Sequence, residues 1–267
     1  MNTRPLPLIL LLLLAVPLAA EDGPDGRTAA KPPSRIQWSL GLGVLSSPRP
    51  YVGAENSIFL APMLELTYKK FYFQGIQAGY RLADNEKFSV DARVGGVFNG
   101  LDPEDSDFLV GMNQRRSTVE GGLVGAWKPG RFRVSAGIST DLLGRYNGQQ
   151  ATADFSRIWT FNRYRWGLTP SIGLVWQSSS FVDYYYGVTP EEGLPDRPSF
   201  QGHAAVNLNS SLFAFYSLNT RIRLTGYVRA QRLDNEISDS PIVDKPRGIF
   251  GLLAITYRFG KLPPRPS

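Results

Sequence analysis

The side chains best suited to chemistry lie around the only histidine, His203, which is followed by Asn207, Asn209, Ser210 and Ser211. A hydrolase can pair a histidine with serine and asparagine when nucleophile, base and orienting group lie within hydrogen-bond reach. Side chains on one face of a strand stand about 7 Å apart, which is beyond that reach. His203 is therefore predicted to be a solvated side chain of the lumen, and a hydrolase centred on it is kept as a third functional hypothesis.

The sequence has few residues that suit metal binding or thiol chemistry. One histidine and no cysteine leave only carboxylates as metal ligands, so no metal site and no cofactor is predicted. The lack of cysteine also excludes a lipoprotein anchor, a disulfide framework and thiol chemistry. The net charge of +6 is spread over scattered arginines that form no basic tract, so nucleic-acid binding is not predicted.

The polar residues are set in segments that alternate with period two. From Trp166 to Trp176, every second residue is apolar, and the residues between them are mostly polar or glycine. This pattern is typical of a strand. The two tryptophans share the apolar face, about 23 Å apart along the membrane normal for a strand tilted near 45°. That distance matches the two aromatic girdles at the surfaces of a bilayer.

The same alternation recurs at 37–44, 88–95, 131–142 and 221–231. Beyond the N-terminus, no segment has about 18 uninterrupted apolar residues, which excludes helical membrane spans and leaves a closed barrel as the way across a bilayer. In such a barrel the apolar faces meet lipid and the polar faces line the lumen. The predicted fold is therefore all-β, an antiparallel transmembrane β-barrel of about 12 strands.

The polar faces carry more arginine than acid. Opposite charges on neighbouring strands are expected to pair and fill the lumen, while excess arginine favours anions if a path stays open. A plugged structural lattice and a conducting pore both remain open interpretations. The candidate lumenal residues are Arg93, Arg131, Arg133, Arg165, Arg221, Arg223, Arg229, Glu65, Asp91, Glu120 and Asp141.

The N-terminus indicates export. Arg4 precedes an apolar run over 8–16 that ends near Leu18-Ala19-Ala20, which is typical of a cleaved secretory signal. The alternative, a short membrane anchor, has a run too short to span comfortably. The predicted organisation is a signal peptide (1–20), a disordered periplasmic leader (21–35), the barrel (36–259) and a short C-terminal tail (260–267).

The strands are predicted at 36–45, 57–68, 71–81, 87–98, 115–128, 130–142, 150–160, 165–177, 180–187, 202–216, 220–233 and 248–259. With both termini periplasmic, short turns should follow even-numbered strands, yet Pro129-Gly130 follows the fifth. A short strand over 107–112, with 143–164 as one long outer loop, would restore the parity and still total twelve. The sequence leaves both arrangements open.

Two motifs carry a resemblance to a known family. They are Asp183-Tyr184-Tyr185-Tyr186-Gly187-Val188, followed by Glu191, and Asp239-Ser240-Pro241-Ile242-Val243. Lesser matches are Pro50-Tyr51-Val52-Gly53, Gly111-Met112 with Arg115 or Arg116, and Gly144-Arg145-Tyr146-Asn147-Gly148. From about Trp38 to Phe259, the chain resembles the MipA/OmpV family of outer-membrane proteins.

The resemblance implies a Gram-negative outer-membrane barrel. The named member of the family looks like a scaffold between a murein lytic transglycosylase and a penicillin-binding murein synthase. The leading hypothesis is thus a non-enzymatic barrel that contacts membrane lipid and, through its periplasmic turns and leader, these murein enzymes. The alternative hypothesis is a narrow pore for small solutes with an arginine-rich lumen.

The tyrosines of the first motif have two interpretations. Adjacent residues of a strand point to opposite faces, so at most two of Tyr184, Tyr185 and Tyr186 could act together as a binding patch. A place in an aromatic girdle or in barrel packing is the preferred prediction. Gly187 is predicted where a side chain would clash, and Asp239-Ser240-Pro241 is predicted to form a turn in an outer loop.

Overall fold

A computed structural model describes residues 36–162 and 165–260. The predicted signal peptide, the leader and all but the first residue of the predicted tail lie outside the described residues. Strand segments of the described chain join in one sheet. They are β1 (Gln37–Ser47), β2 (Ser57–Tyr68), β3 (Phe71–Gln74), β4 (Gln77–Asp84), β5 (Phe88–Val97), β6 (Thr118–Trp127), β7 (Phe132–Asp141), β8 (Gln149–Arg157), β9 (Trp159–Phe161), β10 (Trp166–Gln177), β11 (Ala205–Ser217), β12 (Ile222–Arg232) and β13 (Arg247–Phe259).

The sheet closes on itself. β1 pairs with β13, so that Trp38 lies opposite Phe259, and every neighbouring pair is antiparallel. β8 and β9 pair with the same edge of β10 in one continuous register, and they therefore form a single barrel strand interrupted at Ile158. The result is a closed antiparallel barrel of twelve strands, which confirms the predicted fold class.

The alternation of side chains sets the two faces of the wall. On β1, Trp38, Leu40 and Leu42 are exposed on the outside, while Ser39 and Leu45 are buried inside. The apolar residues point away from the centre of the fold, which is the arrangement that a lipid environment favours. Trp38 stacks on Phe259 with ring centroids 4.0 Å apart, at the end where the first and last strands meet.

Two predicted strands are wrong, and their errors cancel in the count. The segment 71–81 is a hairpin of β3 and β4 around Gly75, whose φ of 63° suits glycine. The segment 180–187 belongs to the helix α1 (Ser179–Tyr186). The additional hairpin places Pro129-Gly130 after an even-numbered strand, so parity holds without a strand over 107–112, where the structure has a short 3-10 turn.

The helix α1 has a local cause. The Ser178 side chain accepts a hydrogen bond from the Phe181 N–H, as an N-cap residue does. The buried residues Phe181, Val182, Tyr185 and Tyr186 recur at the spacing of one helical face. The segment 180–187 was predicted as a strand, but the N-cap and this spacing favour a helix.

Close packing inside the barrel predicts the first measurable effect. A Cβ atom on Gly122 of β6 would overlap the backbone carbonyl of Ile138, whereas a Cβ on Gly125 of the same strand meets nothing within 4 Å. We expect Gly122→Ala to destabilise the barrel by about 1–3 kcal/mol because backbone cannot move aside cheaply. Urea unfolding of the detergent-folded protein measures this, and an equal loss in Gly125→Ala would contradict it.

Candidate functional site

The two ends of the barrel differ in their connections. The turns 69–70, 85–87, 128–131, 162–165 and 218–221 lie at the end where β1 starts and β13 ends. The long connections 48–56, 98–117, 142–148, 178–204 and 233–246 lie at the other end. In outer-membrane barrels short turns are periplasmic and long loops are extracellular. The long loops therefore face outward from the cell.

The five long loops fold together into one unit, here named the cap. Their buried apolar side chains form a single cluster together with Ala205 at the start of β11. Because the loops start from strands all around the barrel, their convergence covers its outer mouth. The cluster residues contributed by the loops are Tyr51, Ala54, Leu101, Leu109, Met112, Tyr146, Phe181, Val182, Tyr185, Tyr186, Val188, Leu233, Ile237, Ile242 and Val243.

The two sequence motifs meet inside the cap. The Ser240 hydroxyl donates to the Tyr186 carbonyl at 2.6 Å, although 54 residues separate them. The Tyr51 hydroxyl donates to the carbonyls of Tyr185, at 3.2 Å, and Asn99, at 3.0 Å. Burial raises the pKa of the Tyr51 and Tyr186 phenols, so both remain neutral. The predicted girdle position of the tyrosines is wrong because α1 turns them into the cap.

The other motif residues shape the same region. The Asp183 carboxylate accepts from the Gly202 N–H at 3.0 Å, and the Val188 N–H donates to the Phe200 carbonyl at 2.8 Å. A Cβ atom on Gly187 would overlap the Asp183 carbonyl, which explains the glycine. Asp239 ends the short helix α2 (Asn235–Ser238), and Pro241 follows Ser240. The motifs therefore hold loops together, and their polar groups are mostly satisfied by backbone.

A buried ion pair ties the two longest loops of the cap. The Arg115 guanidinium lies 2.7 Å from the Glu192 carboxylate, and both side chains are buried. The N–H groups of Asn113 and Thr189 donate to the same carboxylate at 2.7 and 3.1 Å. Burial alone would raise the pKa of Glu192, but the hydrogen bonds from Arg115, Asn113 and Thr189 outweigh it and hold this pKa below its usual value.

Arg197 adds a second tie between the same loops. Its side chain is 1% exposed and donates to the carbonyls of Glu192, at 3.0 Å, and Val110, at 3.3 Å, and to that of Phe108. Neither Glu192 nor Arg197 stood out in the amino-acid sequence. The signal available was Glu191 next to the first motif, and Arg115 beside Gly111-Met112.

The lumen is lined by two kinds of side chain. Inward residues of β1, β2 and β11 to β13 form an apolar lumenal cluster, which the sequence did not predict. Its buried members are Leu45, Ala61, Met63, Phe213, Tyr227, Phe250, Leu252 and Ala254. The continuous apolar run 249–255 is the signal that could have revealed it, because a strand buried on both faces does not alternate.

The predicted lumenal acids are hydrogen-bonded. Glu65 accepts from the Ser39 hydroxyl at 2.7 Å, and Asp91 lies 3.1 Å from the Arg93 guanidinium. Glu120 accepts from the Tyr146 hydroxyl at 2.5 Å, which connects lumen and cap. Asp141 accepts from the Thr118 hydroxyl at 2.5 Å.

The predicted lumenal arginines fall into two groups. Arg93 and Arg133 belong to strands, as do Arg223 and Arg229, which lie over the rings of Phe215, at 5.0 Å, and Phe250, at 5.9 Å. Arg131, Arg165 and Arg221 lie in exposed turns instead, because β7, β10 and β12 each begin one residue later. His203 is likewise exposed and precedes β11, which begins at Ala205, so its predicted position on a strand inside the lumen is wrong.

The turns define a basic surface at the periplasmic end, here named the rim. Among the described turn residues, six basic side chains are exposed, and Glu86 is the acidic residue beside them. The six are Lys69, Lys70, Lys87, Arg131, Arg165 and Arg221. Four of them lie over aromatic rings, for example Arg165 over Tyr216 at 5.4 Å and Arg221 over Tyr257 at 5.9 Å. Cation–π contacts hold such charges at the membrane surface.

In the described residues, no group of three or more His, Cys, Asp or Glu side chains is arranged to hold a metal ion. No helix of the described chain is long and apolar enough to cross a membrane.

Known proteins resemble this chain along most of its length. The sequence model of the family "MltA-interacting protein MipA" matches residues 40–259. The MltA-interacting protein of Escherichia coli K12 is 27% identical over 84% of this chain and 90% of its own length. Outer membrane protein OmpV of Vibrio cholerae is 27% identical over 84% of this chain and 87% of its own length. The COG4313 outer membrane channel from Pseudomonas putida F1 aligns with a TM-score of 0.43 and 7% identity, over 86% of this chain and 98% of that chain.

Proposed function

The chain belongs to the MltA-interacting protein MipA family, and from this membership and the basic rim we propose that it holds murein-remodelling enzymes at the inner face of the outer membrane. The chain is an outer-membrane barrel, as its fold and its relatives' names agree. Under this proposal its part is non-enzymatic. The enzymes are a lytic transglycosylase and, in the same assembly, a penicillin-binding murein synthase.

The rim is the observation that carries this proposal. Murein lies on the periplasmic side, so a murein enzyme meets the short-turn end of the barrel and not the cap. The interaction named in the E. coli relative supports a lytic transglycosylase as the first partner. The predicted leader would extend from the same end, since β1 begins there.

The charge of the rim indicates the chemistry of the partner surface. Six exposed basic side chains beside a single acid attract an acidic protein face and speed its encounter. Exposed charges act through water and are screened by salt over about 8–10 Å. Binding through the rim should therefore weaken as ionic strength rises.

The alternative functions receive less support. The cap covers the outer mouth, and this does not favour an open pore. His203 is exposed outside the strands, and Ser210 and Ser211, which follow it, lie on β11. This arrangement gives a hydrolase no assembled set of groups.

Neutralising part of the rim should weaken partner binding. We expect Lys87→Gln combined with Arg131→Gln to reduce the affinity for a purified lytic transglycosylase of the same organism about fivefold. Two exposed charges each contribute about 0.5 kcal/mol, and 1.4 kcal/mol corresponds to tenfold. The mature chain, folded in detergent and immobilised, is titrated with the enzyme by surface plasmon resonance, and the synthase is added in a second series.

The matched control is the double variant Arg116→Gln and Arg145→Gln, which removes two exposed charges from the cap. It should bind the transglycosylase as the unaltered protein does. Equal weakening by both variants would remove the rim from the proposal. If the unaltered barrel binds neither enzyme, the scaffold function itself is wrong.

A further inference from the structure

Two arginines face outward side by side at the outer end of the barrel wall. Arg232 ends β12 and lies directly opposite Arg247, which begins β13, and both side chains are exposed. Like charges directly opposite on neighbouring strands destabilise a sheet. Within residues 36–162 and 165–260, neither guanidinium has a hydrogen bond, salt bridge or ring contact. An anion from outside the chain would relieve this repulsion.

The position of the two arginines along the membrane normal indicates which anion they meet. Arg247 precedes Tyr257 by ten residues on β13, and both face outward. Ten residues of a strand tilted near 45° rise about 23 Å along the membrane normal, close to the height of about 25 Å of the apolar band of such barrels. Tyr257, with Arg221 over its ring, marks the periplasmic interface. The two guanidinium groups therefore lie at the headgroup level of the outer leaflet.

A groove lies next to the pair on the membrane side. It has a volume of about 260 Å³, and Arg232 and Arg247 line its outer end. The short side chains of Ser210 and Ala230 leave space beside Leu208 and Ile249. Apolar walls below two cations fit an amphiphile with an anionic head and an acyl chain.

The nearby carboxylates do not neutralise the pair. Asp234, two residues after Arg232, accepts the N–H groups of Val206 and Glu236, both at 3.0 Å. It thereby caps α2 and joins the loop to β11. Asp244, three residues before Arg247, is exposed.

We propose that Arg232 and Arg247 bind a phosphate group of the glycolipid that forms the outer leaflet, and that the groove holds one of its acyl chains. Guanidinium groups bind phosphate oxygens through paired hydrogen bonds, which also fixes orientation. Such binding anchors the barrel in the outer leaflet at the outer end of β12 and β13. The site is independent of any periplasmic partner.

Native mass spectrometry of the detergent-folded mature chain tests the proposal. The protein is titrated with bisphosphorylated lipid A, with dephosphorylated lipid A, with phosphatidylglycerol and with inorganic phosphate. We expect the bisphosphorylated lipid A to bind at least tenfold more tightly than each of the others. Comparable binding of the dephosphorylated lipid would reduce the site to an apolar groove and overturn the proposal. Competition by inorganic phosphate at equal concentration would overturn the glycolipid assignment.

Two variants locate the binding. The double variant Arg232→Gln with Arg247→Gln should weaken lipid A binding at least tenfold. The double variant Arg232→Lys with Arg247→Lys should have an intermediate effect, because lysine keeps the charge but lacks the paired N–H donors of a guanidinium. Removing like charges leaves the barrel folded, which heat-dependent gel mobility verifies. The control, Arg165→Gln with Arg221→Gln, removes two exposed arginines at the rim and should bind lipid A normally. Unchanged binding in the first variant, or an equal loss in the control, would overturn the proposal.

Discussion

Replacing Glu192 with alanine is expected to release the loops 98–117 and 178–204 from each other while the barrel stays folded. The change leaves Arg115 charged, buried and without the carboxylate that lies 2.7 Å from it. It also removes the acceptor of the Asn113 and Thr189 N–H groups. Breaking a buried ion pair by removing one partner costs about 3–5 kcal/mol. Hydrogen exchange of peptides from both loops measures the local opening.

The control is Glu191→Ala, since the neighbouring carboxylate is exposed. It should leave exchange in both loops unchanged. A second variant, Glu192→Ala with Arg115→Met, replaces the whole pair and should recover part of the lost protection, because no uncompensated charge remains. Equal exchange in the Glu191 and Glu192 variants would show that the ion pair does not hold the cap.

Acidic pH should weaken the same ion pair between Arg115 and Glu192. The pKa of Glu192 is lowered in the folded cap, so the stabilising effect of its carboxylate is complete above the ordinary glutamate pKa of 4.5 and is lost as the pH falls through the lower pKa of the folded state. Protection of the two loops against exchange, taken relative to the intrinsic exchange rate at each pH, should therefore fall below about pH 4.5 in the unaltered protein. The Glu192→Ala variant has no such carboxylate and should lack this part of the pH dependence.

The barrel was predictable because its signal is local. Alternation with period two assigns each strand residue to lipid or lumen without knowledge of its neighbours. The errors in placing side chains occur at strand ends, where a boundary shifted by one residue moves a side chain from a strand into a turn. Arg131 directly precedes Phe132, the first residue of β7, so a boundary shifted by one moves this charge from the rim to the lumen.

The cap was not predictable for the opposite reason. Its contacts join residues far apart in sequence, as Tyr51 and Tyr185 are, separated by 134 positions. Loop residues have no fixed period, so nothing local indicates that Tyr185 is buried. The two sequence motifs contain residues that are buried in the cap, but their role in packing between loops is visible only in the folded structure.

Replacing Phe181 with alanine is the change expected to affect the apolar part of the cap most. Phe181 is fully buried, and its ring centroid lies 4.9 Å from that of Tyr146 and 4.8 Å from that of Tyr185. Truncating a buried phenylalanine costs about 3–5 kcal/mol through lost burial and a residual cavity. Tyr146 also donates to the lumenal Glu120, so the loss should extend from α1 to the top of the lumen.

Limited proteolysis with identification of the cleavage sites measures this loss. In the Phe181→Ala variant, trypsin should cleave after Arg116 and Arg145 faster than in the unaltered protein, since both exposed residues lie on loops that the cluster holds in place. Heat-dependent gel mobility should remain, because the barrel strands keep their pairing. Leu194→Ala removes an apolar side chain of the same loop that is 49% exposed, and should leave the cap resistant. Cleavage at the same rate in both variants would mean that the aromatic cluster does not stabilise the cap, and that the polar ties of Arg115 and Arg197 hold it alone.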